Sequence, residues 1–390
     1  MAYPSNQPPQ RPGDADAGIE VTDAFERFPQ RNDIFTRAFW DKSVRSKQSD
    51  AFFASYRMEA TPRRGDGFTQ KDFALRNASW LISDLISERD GANGNREGFQ
   101  APIRNDTPVA PIRQPVDDPE QMSREIKRIA AFFGADLCGI TEMDDRWLYL
   151  SRVDTRDFSD APNDLPPGMT HVIVMGHQME EALVATYPSA LAGAATGREY
   201  SHEASVVMQV AAYIRNLGYE ATASMNDTGL VIPFAIQAGL GEYARNQMVI
   251  TPEFGPRLRF SKIFTNLPLS PDPAKPLGVR AFCDICTKCA DACPVKALPY
   301  GPPDLSTDTS AIKGVRKWTS DAAKCFGFWA KLSSDCAICM RVCPFNRDFS
   351  KWHHRRWLKL ALSPLRKLAL WLDRGRGGRV KPSQWWNDAR

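Results

Sequence analysis

The chain has 390 residues, 43% hydrophobic and 25% charged, with a net charge of +4. That length suits two or three domains, and the composition excludes collagen-like, coiled-coil and wholly disordered chains. No run approaches the roughly 20 apolar residues of a membrane helix, so the sequence predicts a soluble protein.

The charge is uneven. Arg355 to Arg390 holds ten basic and two acidic residues, more than the whole surplus, so the rest of the chain is net acidic. That balance argues against a nucleic-acid partner and leaves the basic tail as a contact for a membrane surface or an acidic protein.

Residues 1–30, rich in Pro, Gln and Asp without periodicity, read as a disordered or loosely attached arm. They contain no basic segment followed by an apolar one, and the Arg63-Arg64 pair leads into charged residues, so neither a secretory nor a twin-arginine signal is expected and the location predicted is cytoplasmic. KDFALRNASWLISDLISE has helical spacing. Residues 1–120 are therefore assigned to an arm and a wrapping region that ends in a Pro-rich connector, 101–121.

Residues 121–275 alternate helix and strand. SREIKRIAAFFG reads as a helix stopped by Gly134, DLCGIT and HVIVMG as strands, EYSHEASVVMQVAAYIRNLG as a helix ending at Gly218, and YEATAS as a strand. LVIPFAIQAGLGEYA reads as a Gly-interrupted helix, followed by strands near NQMVIT and RLRFSKIFTN. The pattern predicts an α/β domain. No G-x-G-x-x-G or G-x-x-x-x-G-K-[ST] occurs, and Ala238-Gly239-Leu240-Gly241-Glu242 reads as a helix stop and turn rather than a phosphate cradle. In the tail, 351–390, Leu358, Leu362, Leu365, Ala369 and Leu372 share one face of a helix kinked at Pro364, which is expected to pack on the body.

The cysteines carry the chemistry. Of nine, eight fall between Cys283 and Cys343, which in a chain without an export signal points to metal ligation rather than disulfides. Cys138, in ADLCGI, reads as an inert buried thiol. Cys283-x2-Cys286-x2-Cys289-x3-Cys293-Pro is the two-cluster ferredoxin run, in which three thiolates bind one cubane and the fourth reaches a second. Cys325-x10-Cys336-x2-Cys339-x3-Cys343-Pro supplies the complement. Crossed ligation assigns Cys283, Cys286, Cys289 and Cys343 to one 4Fe-4S cluster and Cys325, Cys336, Cys339 and Cys293 to the other, within residues 276–350. A zinc ribbon uses four ligands and leaves the C-x3-C-P endings unexplained.

Two clusters form a one-electron wire, and most of the chain lies outside them. The cysteine runs, KCFGFWAKLSSDCAICMRVCPFN, LGYEAT, QAGLGEYARNQMVITPEFGPRLRFSKIFTNLPL and the terminal Trp-Trp pair resemble the corrinoid-dependent reductive dehalogenase family from about residue 60 onward. The resemblance implies an α/β fold with a nitroreductase-like cobamide-binding domain and a C-terminal ferredoxin-like two-cluster domain. It also implies a cobamide held base-off and reduced to Co(I) through two 4Fe-4S clusters, and loss of halide from an organohalide, an aromatic one by expectation. Tyr200 is implied as the proton donor, Arg259 as the cation that lowers its pKa, and Asn226 as the amide that orients it. As an unaided reading, Tyr200 opens a helix and packs, Asn226 caps a helix and Arg259 lies on a surface strand. His171, His177, His202, His353 and His354 form no D-x-H-x-x-G arrangement, in keeping with base-off binding.

Respiratory members carry a twin-arginine signal and others a fused reductase domain; this sequence shows neither, so a reduced ferredoxin or flavodoxin is the expected donor. Two alternatives stand beside this one. An epoxyqueuosine reductase-like enzyme predicts a carboxylic acid as donor and tRNA binding, and a non-catalytic electron carrier predicts iron without cobalt.

Overall fold

The computed structural model describes residues 10–56, 65–92, 107–154 and 157–387. Arg63, Arg64, Pro102 and Arg390 lie outside them, as do residues 1–9 of the arm. In chain order the principal elements are β1 (Val21–Glu26), α1 (Ile34–Trp40), α2 (Lys47–Ala54), α3 (Gln70–Ala92), α4 (Pro119–Phe133), β2 (Leu137–Glu142), β3 (His171–Gln178), α5 (Ala190–Asn216), β4 (Ala221–Ser224), α6 (Val231–Gln237), β5 (Leu258–Thr265), α7 (Val279–Ile285), α8 (Lys288–Ala292), β6 (Lys313–Lys317), α9 (Ala322–Leu332), α10 (Ile338–Arg341), α11 (Trp352–Ala361) and α12 (Arg366–Leu372).

A four-stranded sheet in the order β2-β3-β5-β4 forms the centre, with every pairing antiparallel. Ile173 and Met175 of β3 join Ile126 of α4, Val207 and Ile214 of α5 and Ile263 of β5 in one core. Val172 and Val174 face the opposite way, onto Phe234 of α6 and Phe264 of β5. Burial on both faces explains why HVIVMG is a nearly unbroken apolar run. α4 begins at the Asp118 cap with Pro119 in its first turn, and ends at Gly134 with φ +112°. Only a residue without a Cβ adopts that angle cheaply, which makes the stop legible in sequence.

Helix α5 begins at the Ser189 cap, nine residues before the helix expected from its EYSHEA segment. The unread turns, ALAGAATGR, are poor in apolar periodicity because they are built for close approach. α3 packs against them, and a Cβ on Gly197 would stand 2.3 Å from Trp80 Cδ1. The Gly-interrupted helix also differs from expectation: α6 stops at Gln237, and Gly239, at φ +71°, turns the chain.

Residues 10–30 are built into the fold, against the expectation of a disordered or loosely attached arm. β1 pairs antiparallel with β6, nearly 300 residues away, with Val21 opposite Val315. The Gln10 side chain bonds the backbone of Ile19 and Val21. Buried Asp14 meets buried Arg146 at 2.7 Å, and Asp144 holds the other side of the guanidinium. Val315 and Arg146 are distant in sequence from the arm, so no local periodicity announces them.

The AGLGEYAR segment joins the sheet to the cysteine-rich region. The Glu242 carboxylate accepts from the backbone N–H groups of Leu277, Gly278, Val279 and Arg280, capping α7 just before Cys283. Buried Arg245 donates to the carbonyls of Cys283, Cys286, Pro299 and Gly301. The tail helix is broken rather than kinked, into α11 and α12. Ala369 packs inward, while Leu365 and Leu372 face solvent instead of sharing its face. No helix among the described residues is long and apolar enough to cross a membrane.

Candidate active site

Three segments bring Tyr200, Asn226 and Arg259 together. Arg259 leaves β5 on the side of Ser261 and Ile263, toward α5, by the two-residue alternation of a strand. Its guanidinium carbon lies 3.7 Å from the Tyr200 ring centroid. Tyr200 sits well inside α5 rather than at its opening, and its ring stacks on Trp80 with centroids 4.6 Å apart. The Asn226 amide nitrogen donates to the Tyr200 hydroxyl at 2.6 Å, and Arg259 donates to the Asn226 side-chain oxygen Oδ1 at 3.4 Å. A phenol oxygen that accepts from Asn226 still carries its own O–H to donate.

Asn226 is held from below. Lys262 donates to the carbonyls of Met225 and Asp227, and Tyr149 to that of Asn226. The Asp227 carboxylate accepts from Met225 N–H and the Thr228 hydroxyl. Asn226 is therefore part of a pinned turn and not a helix cap. Burial lowers the Lys262 ammonium to about 8.

Sequence reading missed Glu203. It lies one turn beyond Tyr200 on α5 with its side chain fully buried, and its carboxylate is 3.5 Å from Arg259 Nε. Burial drives this carboxyl up to about 7 despite the opposing pull of Arg259. An i+3 acid after the tyrosine was the available signal, but an ordinary exposed helix glutamate looks the same in sequence. His177 adds no positive charge nearby: burial, then His202 and Arg259, lower it to about 3, and its Nε2 meets Ser261 Oγ at 3.2 Å. His202 turns away to the Gly134 carbonyl.

The expected direction of the Tyr200 shift is corrected. Arg259 and the Asn226 hydrogen bond do lower its pKa, but burial outweighs them and the phenol titrates above its ordinary value. Tyr200 and Glu203 in turn outweigh the burial of Arg259 and raise it, so the guanidinium stays charged. The phenol is thus kept protonated beside a fixed cation, which suits an acid that releases its proton only as negative charge develops next to it.

All three side chains line a cavity of about 810 Å³ with a mostly apolar wall. One side is aromatic: Phe35, Phe52, Phe53, Tyr56, Trp80 and Trp329. Another is built from backbone-rich segments, Ala17–Ile19 of the arm and Leu230–Pro233 at the start of α6, with Gln247 and Ser310 as polar groups. A Cβ on Gly18 would meet nothing within 4 Å. This volume and lining fit a large flat macrocycle carrying amide arms.

The cysteines fall into two groups. The Cys343 thiol is raised by burial and then by Cys283, Cys289 and Cys286. That of Cys336 is raised by burial and then, through charges, by Cys325 and Cys293. Cys283, Cys286 and Cys289 are thus among the neighbours of Cys343, and Cys293 and Cys325 among those of Cys336, while Cys339 also feels Cys289. Iron binding replaces these protons, so the donor set of four soft thiols per group fits two 4Fe-4S clusters. Trp329 and Asp335, which line the cavity, belong to the segments that carry Cys325 and Cys336. Cys138 is half-buried, and burial raises its thiol to about 12.

Residues 282–346 match the 4Fe-4S double cluster binding domain. The tetrachloroethene reductive dehalogenase of Dehalobacter restrictus is 34% identical over 388 residues, covering 82% of this chain and 70% of that protein. That of Sulfurospirillum multivorans is 33% identical, covering 87% and 76%. The solved structure of the catabolic reductive dehalogenase NpRdhA in complex with 3-bromo-4-hydroxybenzoic acid is similar at a TM-score of 0.74 and 22% identity, over 98% of this chain. This chain spans 51% of that longer one.

Proposed function

We propose that this chain, which belongs to the reductive dehalogenase family, removes halide from an organohalide, an aromatic one by preference. The observation that carries this reading is the convergence of Tyr200, Asn226 and Arg259 on the wall of a macrocycle-sized cavity that borders a cysteine group. The net reaction takes two electrons and one proton and exchanges a carbon–halogen bond for a carbon–hydrogen bond and free halide.

A cobamide, when bound, supplies the reducing cobalt chemistry. Ala17–Ile19, Leu230–Pro233, Gln247 and Ser310 would hold it. Cys283, Cys286, Cys289 and Cys343 would hold one 4Fe-4S cluster and Cys325, Cys336, Cys339 and Cys293 the other, supplying single electrons, and Trp329 and Asp335 of the segments that carry Cys325 and Cys336 line the cavity. The donor is a reduced ferredoxin or flavodoxin.

Tyr200 delivers the proton from its hydroxyl to the substrate carbon. Asn226 fixes that oxygen and stabilises the phenolate left behind, and Arg259 compensates its charge. Glu203, on the same face of α5 as Tyr200, positions Arg259. The apolar wall excludes water, so that each of these interactions acts at low dielectric.

The aromatic lining of the cavity, Phe35, Phe52, Phe53, Tyr56 and Trp329, supports a haloarene, because such a wall offers ring edges and faces to a flat substrate. The names of the Dehalobacter and Sulfurospirillum relatives support a chlorinated ethene as a second reading. The test is metal analysis followed by halide release, on protein purified anaerobically with cobamide supplied. About eight irons and one cobalt per chain with halide release are expected. Eight irons without cobalt after reconstitution would overturn the proposal in favour of an electron carrier. Turnover of chlorinated phenols but not tetrachloroethene selects the haloarene reading, and the reverse selects the other.

A further inference from the structure

We propose that the outward face of α11 and α12 docks this protein on an anionic lipid surface. The inward side of α12 is fully engaged. Ala369 is buried, its carbonyl accepts from Trp357 Nε1 at 2.9 Å, and buried Asp373 pairs with Lys288 at 2.5 Å and with Arg347. The opposite side carries Leu365, Leu368, Trp371 and Leu372, which are 61%, 47%, 56% and 50% exposed. Their spacing at i, i+3, i+6 and i+7 gathers them into one stripe. α11 contributes Trp352, also 61% exposed, with exposed Arg355, Arg356 and Lys359 on the same side of that helix at i+3, i+4 and i+7.

Four bulky apolar side chains in a stripe mark a surface that something covers. The charge around them identifies what. From Lys351 to Lys381 the sole acidic residue is Asp373, and it is spent inside, so every charge presented outward is positive. A bilayer interface satisfies both features at once. Leucines enter the acyl boundary, indoles sit at headgroup depth, and Lys and Arg reach anionic phosphates. An acidic protein would answer the cations and leave the apolar stripe against a polar surface.

Docking there also orients the chemistry. Lys288 sits between Cys286 and Cys289, and Gly377, just beyond α12, approaches Val342 next to Cys343 at 2.9 Å from where a Cβ would stand. The first cysteine group therefore lies behind the inward side of α12.

The test is co-sedimentation of the full-length, cluster-loaded protein with vesicles of phosphatidylcholine alone or mixed with phosphatidylglycerol. Binding to the anionic vesicles is expected to be at least about tenfold tighter than to the neutral ones and to weaken as salt rises. Replacing Leu368→Ser with Trp371→Ser, or Lys367→Glu with Arg374→Glu, lowers that binding about tenfold or more. Iron content and halide release driven by a chemical reductant stay unchanged. Failure to bind anionic vesicles, or equal binding by the variants, overturns the proposal. So does a concentration-dependent dimer without lipid that the Trp371→Ser change dissociates, which would make a second copy the occupant.

Discussion

Replacing Tyr200→Phe removes one oxygen from the site and leaves almost everything else in place. The ring keeps its stack on Trp80, 4.6 Å between centroids, and its place 3.7 Å from the Arg259 guanidinium. What is lost is the proton donor and the acceptor of the 2.6 Å hydrogen bond from Asn226. That bond contributes about 1 kcal/mol, with up to about 3 kcal/mol if the amide stays buried and unsatisfied. Against a typical stability of about 5–15 kcal/mol, the fold survives. Loss of a positioned general acid costs about 100- to 10,000-fold in rate, or about 3–5 kcal/mol of transition-state stabilisation. The catalytic loss therefore exceeds the structural one. The assay is halide release with a chemical reductant at saturating substrate, alongside iron and cobalt content. Full cofactor loading with turnover reduced at least about 100-fold is expected. A variant that keeps both cofactors and more than about a tenth of the turnover would refute Tyr200 as the donor.

Three further outcomes are expected. Glu203 titrates at about 7 and its charge raises the Tyr200 pKa, so the proton donor weakens as pH rises through 7. Glu203→Gln removes that inflection from the pH–rate profile, and an unchanged profile would exclude Glu203 as a positioning residue. Crossed ligation predicts that Cys293→Ser combined with Cys325→Ser loses no more iron than either change alone, whereas Cys293→Ser with Cys283→Ser strips both clusters; additive losses in the first pair would reverse the assignment. Asp14→Ala removes one carboxylate from fully buried Arg146 while Asp144 stays, a change that costs about 1–3 kcal/mol. Limited proteolysis within residues 10–30 reads the outcome, and an arm as resistant as the parent's would show that Asp14 does not pin it.

The sequence alone determined whatever depends on short spacing. Eight cysteines, six of them in two C-x2-C-x3-C-P runs, mark a two-cluster segment because a cubane takes three of its ligands from one short run and the fourth from the other. The stop at Gly134 and the strand HVIVMG were equally legible, since a left-handed angle and burial on both faces leave direct marks on composition. Tyr200, Asn226 and Arg259 were reachable only through family resemblance, because 59 residues separate the first from the last and no local pattern links them.

Tertiary structure decided the rest. It placed Glu203 behind Arg259, set the Tyr200 shift upward by burial, and pinned an apparently featureless arm through β6 and Arg146. It also turned Leu365 and Leu372 away from Ala369 by breaking the tail helix. Each of these outcomes rests on desolvation or on a partner far along the chain. Both are properties of the packed whole, so neither is written into any window of residues.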